Sequence, residues 1–172
     1  MVIKMQSFQI EEVKSFMSKL LYSDMFDLYL LSEAQVTTYQ TFHIDGHINR
    51  DFYKEMEPSE EESYFLESGY STWKHMRPFC FDLIKGKRTP LSFKFILVLP
   101  SVLAHTFLEP MGASSDLLSQ KTCFLNIRYD GSKLTCVTAT SSNDFQLEKD
   151  TDRCWDQYLE RFLKENNISY LQ

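Results

Sequence analysis

The segment from Trp73 to Arg88 interleaves the rings of Trp73, Phe79 and Phe81 with the cations Lys74, Arg77, Lys85, Lys87 and Arg88. Single-strand nucleic-acid binders combine those two groups, rings on which bases stack and cations that neutralise phosphates. The candidate ligand-binding residues are therefore Trp73, Lys74, Arg77, Lys85, Lys87 and Arg88. An acidic protein partner would suit the same cations, and the chain carries one such surface itself in Glu55, Glu57, Glu60, Glu61, Glu62 and Glu67. A structural use competes with both. Trp73, Met76, Cys80, Phe81 and Ile84 recur at helical spacing, which would bury the rings and leave the cations as a solvated edge.

Other residue groups raise other chemistries. His43, Asp45 and His47 are metal-ligand types within five residues, but a D-G turn accounts for the aspartate and no further ligands are at hand, so neither metal nor cofactor is expected. His75, Cys80 and Arg77 would suit a small-molecule enzyme with a thiol nucleophile, its base and an anion holder. Phe79 and Phe81 flank Cys80 and argue for a buried, inert thiol. Ser141 and Ser142, followed by Asn143 and Asp144, have no G-x-S-x-G elbow, and neither Gly-rich phosphate loop occurs. The leading expectation is a non-enzymatic binding or adaptor domain. The enzyme is the rival, and a self-association domain, suggested by the aromatic content, is the third class.

These residues need elements to position them. Met5 to Ile10 reads as a strand, Glu11 to Tyr22 as an amphipathic helix, and Phe26 to Leu31 and Val36 to Ile44 as strands. Asp45-Gly46 reads as a hairpin turn with positive φ, returning through Ile48 to Tyr53. Lys54 to Ser71 reads as a mobile acidic loop with a short helix at Ser59 to Leu66, where Ser59 and Glu62 have capping-box spacing. Thr72 to Lys85 reads as a helix interrupted by Pro78, Leu91 to Leu99 as a buried strand, Ser101 to Leu108 as a helix and Met111 to Gln120 as a loop. Thr122 to Tyr129 and Lys133 to Thr140 form a hairpin about Asp130-Gly131, in which Leu125 faces Cys136 and Ile127 faces Leu134. Phe145 to Leu147 reads as a last strand. A final helix capped by Asp150 or Thr151 carries the stripe Cys154, Trp155, Tyr158, Leu159, Phe162 and Leu163.

A chain of 172 residues with 43% hydrophobic and 15% aromatic content is expected to form one domain, residues 1–172, with a full core. Its net charge of −6 disfavours non-specific attraction to polyanions. No C-x-x-C pair is present, no apolar run approaches a membrane span, and the first residues lack the apolar core of a secretion signal. A cytoplasmic location with reduced thiols is expected, with no membrane partner. The oligomeric state is open.

Residues 5–53 and 91–148 share an order of strand, helix and D-G hairpin, carried by FHIDGHI and IRYDGSKL. The arrangement resembles the repeated βαβββ unit of DNA sliding clamps, which implies outer strands and inner helices. It departs from clamps in its sparse helix cations (Lys14, Lys19 and His105, against Glu11 and Glu12), in the Lys54 to Arg88 insertion and in the C-terminal helix. Four stretches, LLSEA (Leu30 to Ala34), RPFCFDLIKGKRTPLSFK (Arg77 to Lys94), LNIRYDG (Leu125 to Gly131) and RFLKENNISY (Arg161 to Tyr170), resemble a family of small bacterial proteins of unknown function. That resemblance implies no activity, cofactor or catalytic residue. The fold expected is α+β: an antiparallel sheet with amphipathic helices, two clamp-like repeats and a C-terminal helix.

Overall fold

A computed structural model describes residues 2–142 and 149–172. In chain order it contains β1 (Val2–Ile10), α1 (Val13–Leu21), β2 (Leu30–Thr37), β3 (Thr41–Asp45), a 3-10 turn (Arg50–Tyr53), α2 (Glu60–Ser68), β4 (Ser71–Thr72) and α3 (Trp73–Ile84). There follow β5 (Ser92–Leu99), α4 (Ser101–Leu108), a 3-10 turn (Glu109–Met111), α5 (Ser115–Leu118), β6 (Lys121–Tyr129), β7 (Leu134–Ser142), α6 (Asp150–Glu165) and β8 (Tyr170–Leu171). The class is α+β, with one antiparallel sheet ordered β3-β2-β5-β6-β7-β1-β8 and β4 paired to β2.

Strand alternation gives the sheet two unlike faces. Ala34, Phe95, Ile127, Cys136 and Phe8 lie side by side across five strands, and all are buried. The neighbouring row on the opposite face is Gln35, Lys94, Arg128, Thr135 and Gln9. Helices α1, α3, α4, α5 and α6 supply the residues that pack against the apolar face, so that face holds the core. Each large side chain buried there contributes about 2 kcal/mol. Two carboxylates also clasp α6 to β7. Asp152 Oδ1 accepts from Thr140 Oγ1 at 2.9 Å and Lys121 Nζ at 3.2 Å, and Asp156 accepts from Thr138 Oγ1. The two acids are one helical turn apart, which matches the two threonines two residues apart on one strand face.

Several elements differ from the sequence reading. Phe26 to Leu31 is mostly turn, closed by Asp27 N–H to the Asp24 carbonyl and Tyr29 N–H to the Phe26 carbonyl, both 3.0 Å. Its aromatic residues read as strand because Phe26 and Tyr29 are core plugs reached from a loop. Val36 to Ile44 is a tight hairpin, with Thr37 opposite Thr41. Asp45-Gly46 is no hairpin turn and Ile48 to Tyr53 no strand. Gly46 has no positive φ; a Cβ there would stand 1.9 Å from the Leu31 carbonyl oxygen. Close backbone approach therefore demands that glycine, at the β2 bulge where its N–H donates to the Ser32 carbonyl at 2.9 Å.

The β6–β7 hairpin shares the expected face, but its register slips by two residues. Leu125 faces Thr138 and Ile127 faces Cys136 because the loop spans Asp130 to Lys133. Asp130 Oδ1 takes the Ser132 and Lys133 N–H groups at 2.9 and 2.8 Å, which fixes the longer loop and holds that carboxyl below its usual range. Within Lys54 to Ser71, α2 has both bonds of the Ser59–Glu62 capping box. A short helix, α5, breaks the loop expected at 111–120. Lys149 occupies the N-cap of α6 and Asp150 its first turn. The strand expected at 145–147 lies outside the described residues. The order strand–helix–strand–strand recurs in β1–β3 and β5–β7, but β5 adjoins β6 whereas β1 and β2 are separated by three strands.

Two outcomes follow. Gly46→Ala should cost about 2–3 kcal/mol in urea unfolding, as for an overpacked core. Burial raises the Asp156 pKa above the ordinary aspartate value, so its ionised form opposes folding once pH exceeds that value. Asp156→Asn should therefore raise the melting temperature at pH 7, with the gain vanishing below the usual aspartate range.

Candidate functional site

Helix α3 carries most of the basic–aromatic segment. Thr72 caps it, its Oγ1 accepting the His75 N–H at 3.2 Å, and exposed Pro78 leaves its missing N–H on the solvent side. Trp73 is wholly buried. Its indole N–H donates to the Leu20 carbonyl at 3.0 Å and its ring lies 5.3 Å from that of Phe95. Arg77 grips Asp27 with two bonds, Nε to Oδ1 at 2.8 Å and Nη2 to Oδ2 at 3.1 Å, and its Nη1 reaches the Leu21 carbonyl at 3.4 Å. The bond to Asp27 raises the guanidinium pKa further. Trp73 thus offers no ring for stacking, and Arg77 is committed to holding α3 against α1.

The remaining candidates are exposed but do not converge. Lys85 pairs with Asp82 at 3.0 Å. Lys74 sits on the first turn of α3, while Lys87 and Arg88 follow its end, a helix length of about 16 Å away. The rival enzyme trio is also dispersed. Burial pushes the Cys80 thiol up to about 12, so it is not a thiolate near neutral pH. His75 is exposed, with its ring near those of Phe65 and Phe79. On β3, His43 Nε2 stands 3.2 Å from Glu33, while His47 Nδ1 stands 2.6 Å from Asp45, whose pKa is lowered first by the His47 backbone N–H. Among the described residues no group of three or more such side chains is placed to hold a metal ion, and no helix is long and apolar enough to cross a membrane.

What the second half of the segment does form is one wall of a groove of about 420 Å³ between α1 and α3. Met17, Leu21 and Tyr22 come from α1, Phe81 and Ile84 from α3. The Tyr22 and Phe81 rings meet at 4.5 Å, and stacked Phe93 and Tyr129, 5.2 Å apart, line the sheet side. Lys14 lines the groove too, and Lys87 and Arg88 immediately precede the lining residues Thr89 and Pro90. Among the described residues these three cations make no ion pair within 4 Å, whereas Arg77, Lys85 and Lys94 are each compensated by a carboxylate. The sequence reading missed α1 as the other wall. Its signal was the apolar spacing of Val13, Met17 and Leu21 beside Lys14. A wider cleft of about 620 Å³ lies between α2 and the start of α4, walled by Tyr64, Tyr70, Val98 and Leu103.

Arg77→Met should cost about 2–3 kcal/mol in chemical unfolding, because it strands the Asp27 carboxylate. Lys74→Ala and Lys87→Ala should stay within about 0.5 kcal/mol, as for exposed positions.

No curated protein and no solved structure matches this chain. A family model matches residues 19–171, from the last turn of α1 through β8. The chain therefore belongs to that family, described as a family of unknown function (DUF5721).

Proposed function

We propose that this chain is a cytoplasmic, non-enzymatic binding domain for a partner protein. Its groove between α1 and α3 takes large apolar side chains of the partner, while Lys14, Lys87 and Arg88 hold acidic residues beside them. The carrying observation is an apolar groove lined by exposed Lys14 and by Thr89 and Pro90, which Lys87 and Arg88 immediately precede, with no ion pair to these three cations among the described residues, in a chain of net charge −6. The aliphatic lining from Met17, Leu21 and Ile84 favours a polypeptide over nucleic acid, because bases stack on free ring faces and Trp73 has none. Tyr22 is well exposed, but its ring already leans on Phe81. A cytoplasmic location fits the buried Cys80, Cys123 and Cys136 thiols.

Fluorescence anisotropy tests this with three labelled probes: a peptide alternating Phe with Glu, the same peptide with Lys for Glu, and a single-stranded oligonucleotide. The acidic peptide should bind saturably and the basic one should not. Replacing Lys14, Lys87 and Arg88 by Ala should weaken binding roughly tenfold, at ~0.5 kcal/mol per rim charge. Oligonucleotide binding that collapses with salt, without peptide binding, would turn the reading to nucleic acid. No binding of either polymer at low salt would sink it.

A further inference from the structure

The chain carries a segment with the chemistry that the groove calls for. Residues 51–61 hold five carboxylates, Asp51, Glu55, Glu57, Glu60 and Glu61, against the single Lys54. Two of the most exposed large hydrophobic side chains, Phe52 at 83% and Met56 at 81%, project from among them. Such side chains cost solvation wherever they stand in water, and a pair four residues apart between carboxylates is an apolar anchor with an acidic flank. Asp51 is paired with Lys54, but Glu55, Glu57, Glu60 and Glu61 make no ion pair within 4 Å among the described residues.

This segment does not fill the groove of its own chain. The groove lies where β5 begins and β6 ends, at Phe93 and Tyr129. Strand β3 runs away from that end, from Thr41, level with Thr37 and Ser92, to Asp45, level with Glu33 and Ile96. The chain after Asp45 is then tied down at the remote end: Ile48 N–H donates to the Gly69 carbonyl at 3.0 Å and Ser71 N–H to the Gly46 carbonyl at 2.8 Å.

We infer that the partner is a second copy of this chain, with the Asp51–Glu61 segment of one copy seated in the α1–α3 groove of the next. This rests on the groove reading above and names its occupant. Phe52 and Met56 would enter between Met17, Leu21 and Ile84, and the segment's carboxylates would meet Lys14, Lys87 and Arg88. The two surfaces are different patches at opposite ends of the sheet, so the contact is heterologous and a bound pair still presents one free segment and one free groove, each on a different copy. Association is therefore head-to-tail and open-ended unless it closes into a ring. A contact of about a dozen residues is small, and its affinity is on the order of tens of micromolar or weaker. It should weaken with salt, since the Debye length falls to ~3 Å at 1 M.

Sedimentation velocity on the full chain, at rising concentration in low and high salt, tests this with two variants whose changes fall on exposed side chains. One is the segment variant Phe52→Asp with Met56→Asp, the other the groove variant Lys87→Glu with Arg88→Glu. The wild type should gain mass with concentration at low salt, and each variant alone should stay monomeric with an unchanged circular-dichroism melt. Mixed, the two should form a one-to-one dimer and stop, because the pair retains one intact segment and one intact groove. A wild type monomeric throughout, a variant that still assembles alone, or a mixture that stays monomeric overturns the inference. The Phe/Glu peptide separates this from failure of the groove reading. If the segment variant binds that peptide as the wild type does while no assembly occurs, the groove stands and only the second copy is refuted.

Discussion

One indole holds α1 and α3 together. Trp73 is the first residue of α3, and its ring packs on Phe95 in the middle of the sheet while its N–H reaches the Leu20 carbonyl near the end of α1. That carbonyl belongs to the last turn of a helix, where four acceptors lack intrahelical partners. A single side chain thus satisfies an orphan acceptor, fills the core and sets the angle between two helices. Arg77, one turn further on, repeats the arrangement with charge, gripping Asp27 in the loop after α1 and touching the Leu21 carbonyl. The spacing of α1 from α3, and therefore the groove between them, depends on these two residues. They looked like ligand contacts in the sequence because a buried ring and a compensated guanidinium have the same composition as an exposed stacking site.

The sheet imposes the second constraint. Five helices, α1, α3, α4, α5 and α6, pack on one face, and the central row of the other, Gln35, Lys94, Arg128, Thr135 and Gln9, is polar. Lys94 is held there by Glu33 at 2.9 Å, a bond that lowers the glutamate pKa. The covered face carries polar bonds of its own where α6 lies on β7. Lys121 and Asp152 form a nearly buried pair at 3.2 Å beside Thr140. Such pairs specify geometry more than they stabilise, since desolvation offsets most of the attraction. Here they set the register of α6 over β7.

Elements with strong periodicity were legible in the sequence. The α6 stripe, the shared apolar face of β6 and β7, and the Ser59–Glu62 capping box all stand where spacing placed them. Local chemistry misled where one signal has two physical causes. A D-G pair marks a turn with positive φ at Gly131 but a backbone crossing at Gly46, and only the neighbouring strand distinguishes them. The two-residue slip of the last hairpin came from Asp130 capping its own loop, which preserves the face because side chains alternate with a period of two. The groove was half legible. Phe81, Lys87 and Arg88 lie in the segment that composition singled out, but Lys14, Met17 and Leu21 arrive from a distant helix whose apolar stripe reads as ordinary core.

That division bears on how a fold can build a groove without a sequence motif. The groove is assembled from α1, α3, the loop before β5 and the end of β6, elements brought together by burial rather than by adjacency in the chain. Tyr22 and Phe81 touch each other across its side, so part of their apolar area is already removed from water in the free protein. Lys14, Lys87 and Arg88 make no ion pair among the described residues, so they keep their hydration in the free protein. Under the proposed partner binding, long-range recognition would belong to charge and short-range affinity to apolar area, and the two would be supplied by different residues. Salt should therefore change how fast partners meet more than how tightly the apolar contact holds once formed. Loosening the Trp73 and Arg77 joint should do the reverse, because it moves the groove walls and leaves the rim charges in place.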